Sequence, residues 1–308
     1  MTLKKNLKLF GLDYYFEELT SLYNRNLFPN KIMLSGRKGI GKKTLALHLI
    51  NYFFSKNEEF KYDFKNKKIN LLNKSYKMSE NNIHPNLFKI YLRSDKKYID
   101  INQVREMTSF VNKSSFNNSK KIVLIENVEF LNSYSANALL KSIEEPNNGV
   151  IFILIFNNEN TCLETIKSRC IEYKILLDNK FLPEIINHYF EEDKFEKISK
   201  DFVNHYVTPS FLIRFINFCS DHNLDYSIIS IDDLIKYYLE NNMYKKKETI
   251  NEDIKLYLEL FFYNKISKLK NNDLNNLYIY FNNRFNLSYK FNLDLESFYL
   301  EFNTKFFK

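Results

Sequence analysis

Glycine is almost missing from this chain, with five residues among 308. Cysteine is scarcer still: Cys162, Cys170 and Cys219 are the only three, and no two of them stand at a metal-ligand spacing. That excludes a disulfide framework and a four-cysteine zinc module, and it predicts free thiols in a reducing cytoplasm. No apolar run approaches the roughly 20 residues of a membrane span. Met1 to Lys8 is basic but no apolar region follows it, so no signal peptide is expected and the reading is a cytoplasmic protein without a membrane. An excess of acidic residues is also absent. The net charge is +8, and the lysines are scattered rather than gathered on one helix face, so charge-driven DNA binding is the lesser reading.

The few glycines are unevenly placed. Three of the five fall at positions 36, 39 and 41, within Gly36-Arg37-Lys38-Gly39-Ile40-Gly41-Lys42. Lys31 to Ser35 before them reads as a strand, and Thr44 to Phe54 after them as a helix. A phosphate-binding loop needs that context, because its backbone N–H groups must turn inward where side chains would obstruct them. The chemistry at its end departs from the pattern. A hydroxyl should follow Lys42 to ligate magnesium, and position 43 is a second lysine. Thr44 comes one residue late, about 100° further round the helix. Lys42 itself can still pair with phosphate oxygens.

Forty-four per cent apolar residues gives a chain of this length enough material for two or three packed domains. Asp13 to Asn26 reads as an amphipathic helix, with Phe16, Leu19 and Tyr23 on one face. Lys56 to Asn82 is polar and without a period. Leu87 to Leu92 reads as a strand, with His84 at its entry as an edge side chain rather than a ligand. Asn102 to Lys113 is a helix with Val104, Met107, Thr108 and Val111 inward. Lys121 to Ile125 is a buried strand that ends in Glu126-Asn127.

The most ordered stretch is Ser133 to Cys170. Ala136, Leu139, Leu140 and Ile143 form one helical stripe, which Pro146 ends. Val150 to Phe156 is seven apolar residues in a row, as in a strand covered on both faces. Asn157 and Asn158 follow at its carboxyl end, where open α/β sheets place ligands. Ser168-Arg169-Cys170 then leads into a strand from Ile171 to Leu176. The helix motif Asn137-Ala138-Leu139-Leu140-Lys141 with Glu144-Glu145-Pro146, the strand, and Ser168-Arg169-Cys170 occur in the order found in the clamp-loader branch of the AAA+ ATPases. The resemblance spans roughly residues 7 to 176 and lies nearest the delta-prime class of bacterial subunits.

The resemblance implies an AAA+ module at 1–176, a small helical lid at 177–224 and a helical collar for oligomerisation at 225–308. It also assigns roles. Gly36, Gly39, Gly41, Lys42, Lys43 and Thr44 form a degenerate Walker A loop. Glu126 stands where the Walker B aspartate belongs, and Asn127 where a catalytic glutamate would polarise water. An amide cannot take that proton. Asn157 corresponds to sensor 1, and Arg169 to an arginine finger reaching a neighbouring subunit's ATP. The sensor-2 position falls near Phe211, with Arg214 one turn later as a possible substitute. The implied function is a subunit with little hydrolysis of its own. It would work beside motor and delta subunits in a hetero-oligomer that meets a sliding clamp and primed DNA. No cofactor is required, ATP or ADP is bound weakly at most, and no zinc is expected. An active motor subunit and a basic DNA-binding protein on an AAA+ shell are the alternatives. Beyond 177 the sequence reads as helices at Phe181–Phe190, Phe195–Tyr206, Pro209–Phe218, Ile231–Asn241, Ile250–Lys270, Leu274–Asn286 and Leu293–Phe306. Leu256, Leu260 and Tyr263 are read as the inner face of the fifth.

Overall fold

The computed structural model describes residues 7–144, 149–158, 162–243, 248–269, 272–291, 293 and 295–307. The second half of the Glu144-Glu145-Pro146 motif lies outside the described residues. The chain forms two compact units, Met1–Tyr189 and Phe190–Lys308. Among the described residues no helix is long and apolar enough to cross a membrane.

The first unit alternates helix and strand: α1 (Asp13–Asn24), β1 (Lys31–Gly36), α2 (Lys42–Ser55), α3 (Lys74–Glu80), β2 (Leu87–Ile90), α4 (Ile101–Asn112), β3 (Lys121–Ile125), α5 (Ser133–Glu144), β4 (Val150–Asn157), α6 (Glu164–Lys167), β5 (Ile171–Lys174) and α7 (Leu182–Phe190). The five strands make one parallel sheet in the order β2-β3-β4-β1-β5. This is the parallel α/β architecture expected from the sequence.

Strand β4 is paired on both sides and buried along all eight residues. Its alternating side chains serve two cores. Ile151, Ile153 and Ile155 join Ile32, Leu34 and the inner faces of α1 and α2. Phe152, Leu154 and Phe156 join Met33, Val123 and the inner faces of α4 and α5. An apolar run without alternation is the signature of such a doubly covered strand. Edge strand β5 follows the opposite rule, with Ile171 and Glu172 exposed.

The polar segment after α2 is organised by side chains bonding to backbone. The Glu58 carboxylate accepts from the N–H groups of Lys74 and Ser75, at 2.9 and 3.0 Å. Asn73 caps α3 and also donates to the Phe60 carbonyl. Among the described residues no group of three or more His, Cys, Asp or Glu side chains could hold a metal ion. His84 stacks on Phe54, with centroids 4.0 Å apart, and burial pushes its pKa down to about 4.

The second unit is helical: α8 (Lys200–Val203), α9 (Pro209–Asp221), α10 (Ile231–Glu240), α11 (Glu248–Leu269), α12 (Asn272–Phe291) and α13 (Glu296–Phe306). Phe202, Phe215, Tyr257, Phe261, Phe281 and Phe302 are the bulk of its interior. Two expectations are corrected here. The stretch read as one helix from Phe195 to Tyr206 is a 3₁₀ turn at Phe195–Lys197 followed by α8, broken by extended backbone at Ile198. On α11 the inward stripe is Ile254, Tyr257, Leu258, Phe261 and Phe262. Leu260 is buried as expected, but Leu256 is only half-buried and Tyr263 is 42% exposed.

Phe152 is fully buried in the central strand. Phe152→Ala should therefore cost the first unit roughly 3–5 kcal/mol, measured as a lowered urea midpoint of unfolding.

Candidate functional site

Parallel pairing brings every strand's carboxyl end to one edge of the sheet, and the loops there build the site. Strand β1 ends at Gly36, where an added Cβ would stand 2.6 Å from the Ile175 carbonyl oxygen. Only glycine lets the chain pass that close. Gly41 precedes α2 with φ +97°, a left-handed conformation that other residues adopt at a cost. No side chain caps α2 there. Its amino end, with its partial positive charge, faces the loop, a setting suited to phosphate oxygens.

Consecutive lysines on α2 take opposite directions. Lys42 is 3% exposed, and its ammonium donates to the carbonyls of Gly36 at 2.8 Å and Arg37 at 2.5 Å. Lys43 leaves the loop. Its ammonium lies 2.8 Å from Oε2 of Glu126, the residue that follows β3. The backbone N–H of Glu126 donates to the Ile90 carbonyl and so extends the pairing of β3 with β2. Asn127 then turns the chain with φ +56°, a conformation that asparagine tolerates better than most residues. Thr44 is half-buried one position later on α2.

A residue not singled out in the sequence completes this edge. Glu129 accepts from Nδ2 of Asn157 at 2.7 Å and from the Asn157 backbone N–H at 3.3 Å. Burial raises the Glu129 pKa, opposed by its hydrogen bonds and by the positive charge of Lys42. In sequence Glu129 is one carboxylate in a turn two residues past Asn127. Only the adjacency of β3 and β4 aims it at Asn157. The carboxyl ends of β1 and β4 are tied as well, through Asn158 N–H to the Gly36 carbonyl at 3.2 Å.

Beside the loop lies a cleft of about 480 Å³ whose lining includes Lys43, Lys89, Glu80, Glu126 and Asn127. The residues fit a phosphate group through the loop backbone, the helix end and Lys42. They do not fit a divalent cation. The hydroxyl that would coordinate it is replaced by an ammonium, and that ammonium already pairs with Glu126. A divalent cation beside Lys43 would meet like-charge repulsion, and Glu126, the carboxylate that would offset it, is already paired with that ammonium.

Two arginines have defined partners, one in each unit. Arg169, on the turn between α6 and β5, contacts Oε1 of Glu144 through Nε at 3.0 Å and Nη2 at 2.7 Å, and donates from Nη1 to the Thr165 carbonyl. The pair is half-exposed. Arg214, in the second unit, grips both oxygens of Asp253 and donates to Ser210 Oγ at 2.7 Å. Phe211, at the other sensor-2 position, is buried. The structure thus gathers Gly36, Gly39, Gly41, Lys42, Lys43, Glu126, Asn127 and Asn157 at one sheet edge, while Arg169 bonds to α5 and α6.

Asn157 is buried, so removing Glu129 strands its amide donors. Glu129→Ala should destabilise the first unit by about 1–3 kcal/mol, read from urea unfolding.

Comparison with known proteins adds a family. A family model described as DNA polymerase III, delta subunit, matches residues 12–178. The chain is 39% identical over 89 residues to DNA polymerase III subunit delta' of Pseudomonas aeruginosa, covering 29% of this chain and 27% of that protein. It is 29% identical over 154 residues to subunit delta' of Bacillus subtilis, covering 48% of this chain and 44% of that protein. It is 27% identical over 207 residues to subunit gamma of Buchnera aphidicola, covering 64% and 54%. The chain thus spans between about a quarter and about half the length of these relatives. Among solved structures, a DNA polymerase III gamma subunit-related protein of Thermotoga maritima is similar with a TM-score of 0.46 and 14% identity, covering 87% of this chain and 90% of that one.

Proposed function

The chain belongs to the DNA polymerase III delta subunit family, and from that membership we propose that it is a delta-prime-like clamp-loader subunit that does not hydrolyse ATP itself. The observation that carries the second half of this reading is the ion pair of Lys43 with Glu126. It joins the residue that stands in place of the metal-binding hydroxyl to the residue in the Walker B position. Asn127 beside it brings an amide where a proton acceptor is needed. In this reading the loop binds ATP or ADP weakly, no zinc is involved, and the chain serves as a fixed partner of motor and delta subunits. The sliding clamp and primed DNA are met through that assembly.

Arg169 gives such a subunit a part in chemistry that occurs next door. A guanidinium stays charged, and its planar fork matches phosphate oxygens, so it can stabilise charge that develops during phosphoryl transfer in a neighbouring subunit. Its present partner is weakly held: a half-exposed ion pair such as Arg169–Glu144 contributes about 0–1 kcal/mol. Release toward a phosphate is therefore cheap. The Ser168-Arg169-Cys170 segment lies at an exposed edge of the sheet, where a neighbour could be reached.

One observation favours the hydrolysing alternative. Glu129 supplies a carboxylate at the sheet edge, raised in pKa by burial. Both of its oxygens, however, already accept from Asn157, which leaves it poorly disposed to take a proton from water.

The purified chain is expected to turn over ATP well below the ~1 s⁻¹ at the lower end of typical enzymes. Turnover at or above that rate, abolished by Glu129→Gln, would establish the alternative. In a complex reconstituted with its partner subunits, Arg169→Ala should leave assembly intact and sharply lower clamp- and DNA-stimulated ATPase. Fingers in other systems contribute roughly 10³- to 10⁵-fold. Arg169→Lys should rescue little, because it keeps the charge and loses the fork. Unchanged ATPase and clamp loading with Arg169→Ala would remove the trans-acting role.

A further inference from the structure

The place where a phosphate loop ordinarily gathers a divalent cation is taken here by a side chain of the protein. We propose that Lys43 is a built-in cation at that place, so that the loop accepts nucleoside polyphosphate free of metal. The proposal rests on the reading of the loop as a nucleotide site and goes further by naming the ionic form of the ligand.

Position is the first support. Lys43 directly follows Lys42 at the start of α2, the position from which a hydroxyl would reach magnesium. Its ammonium lies 2.8 Å from Oε2 of Glu126, whose side chain is 12% exposed. A carboxylate so far removed from water needs a partner, and it has one without a metal.

Charge balance is the second support. The cleft beside the loop carries two cations, Lys43 and Lys89, and two carboxylates, Glu80 and Glu126. Asn127 contributes no charge where a carboxylate would have added one. The ammonium of Lys89 donates to the Ser79 carbonyl at 2.6 Å, and burial lowers its pKa. Groups that already cancel give a doubly charged ion no net attraction. A metal-free polyphosphate instead brings its negative charge to Lys42 and to the amino end of α2. An ammonium has three donors, so Lys43 can keep Glu126 with one and offer another to a phosphate oxygen. A single positive charge on a flexible stem would hold the ligand without the polarisation that hydrolysis requires.

The test is calorimetric titration of the full chain with ADP and with ATP, in excess magnesium and in excess chelator. The parent chain should bind with equal affinity in the two conditions, within about twofold, whereas Lys43→Ser should bind at least about tenfold more tightly with magnesium than without. Adding Glu126→Gln to Lys43→Ser should abolish that new metal dependence. Two results would overturn the proposal while leaving the nucleotide reading intact. One is a parent chain that binds about tenfold more tightly with magnesium; the other is a Lys43→Ser chain with the parent's metal response. No binding by any of the chains in either condition would remove the nucleotide reading, and this proposal with it. Circular dichroism of each variant checks that the fold is retained.

Discussion

The pairing of β4 with β3 on one side and β1 on the other is the constraint from which the rest of the first unit follows. All eight residues of β4 are buried, and its odd and even side chains hold together the two helical layers that cover the sheet. A one-residue slip would exchange those faces, so the register is strongly specified. Because the strands are parallel, that register also fixes which loops meet at the carboxyl edge. Gly36, Glu126 and Asn157 come from three separate strands, and they approach one another because β3, β4 and β1 are adjacent.

The character of the site comes from how its few charges are partnered. Lys42 turns in and is satisfied by the loop's carbonyls, while Lys43 turns out and neutralises the carboxylate at the end of β3. Glu129 anchors Asn157. Lys42, Lys43, Glu126 and Glu129 each have a protein partner, which is what burial demands. The same economy separates the two arginines. Arg214 is held from several sides against Asp253, whose side chain is 10% exposed, whereas Arg169 is paired with a half-exposed carboxylate. Screening by water makes the second pair the easier to exchange.

Much of this was legible in the sequence, for identifiable reasons. Three glycines crowded into positions 36 to 41 announce a backbone demand, and the apolar run from Val150 to Phe156 announces a doubly covered strand. Those signals are local, because φ, hydrogen-bond donors and side-chain period are properties of neighbouring residues. Lys43 and Asn127 could likewise be recognised as departures from a pattern written in consecutive positions. The inner face of α11 was less legible. Apolar and aromatic residues lie all round that helix, so spacing alone could not choose among Leu256, Tyr257 and Leu258.

Residue type and order thus determined the α/β class, the loop, and the missing hydroxyl and carboxylate. Tertiary structure decided who partners whom. Glu129 is an unremarkable acid in the sequence and becomes a partner of Asn157, 28 positions away, only because β3 and β4 lie side by side. Lys43 reads as a defect in one motif and Glu126 as a variant of another. Their union is a contact between α2 and the end of β3 that neither local segment encodes. The bonding of Arg169 to Glu144 joins residues 25 positions apart in the same way. Backbone preferences act over a few residues and can be read in order. Pairing of charges acts across space and had to wait for the fold.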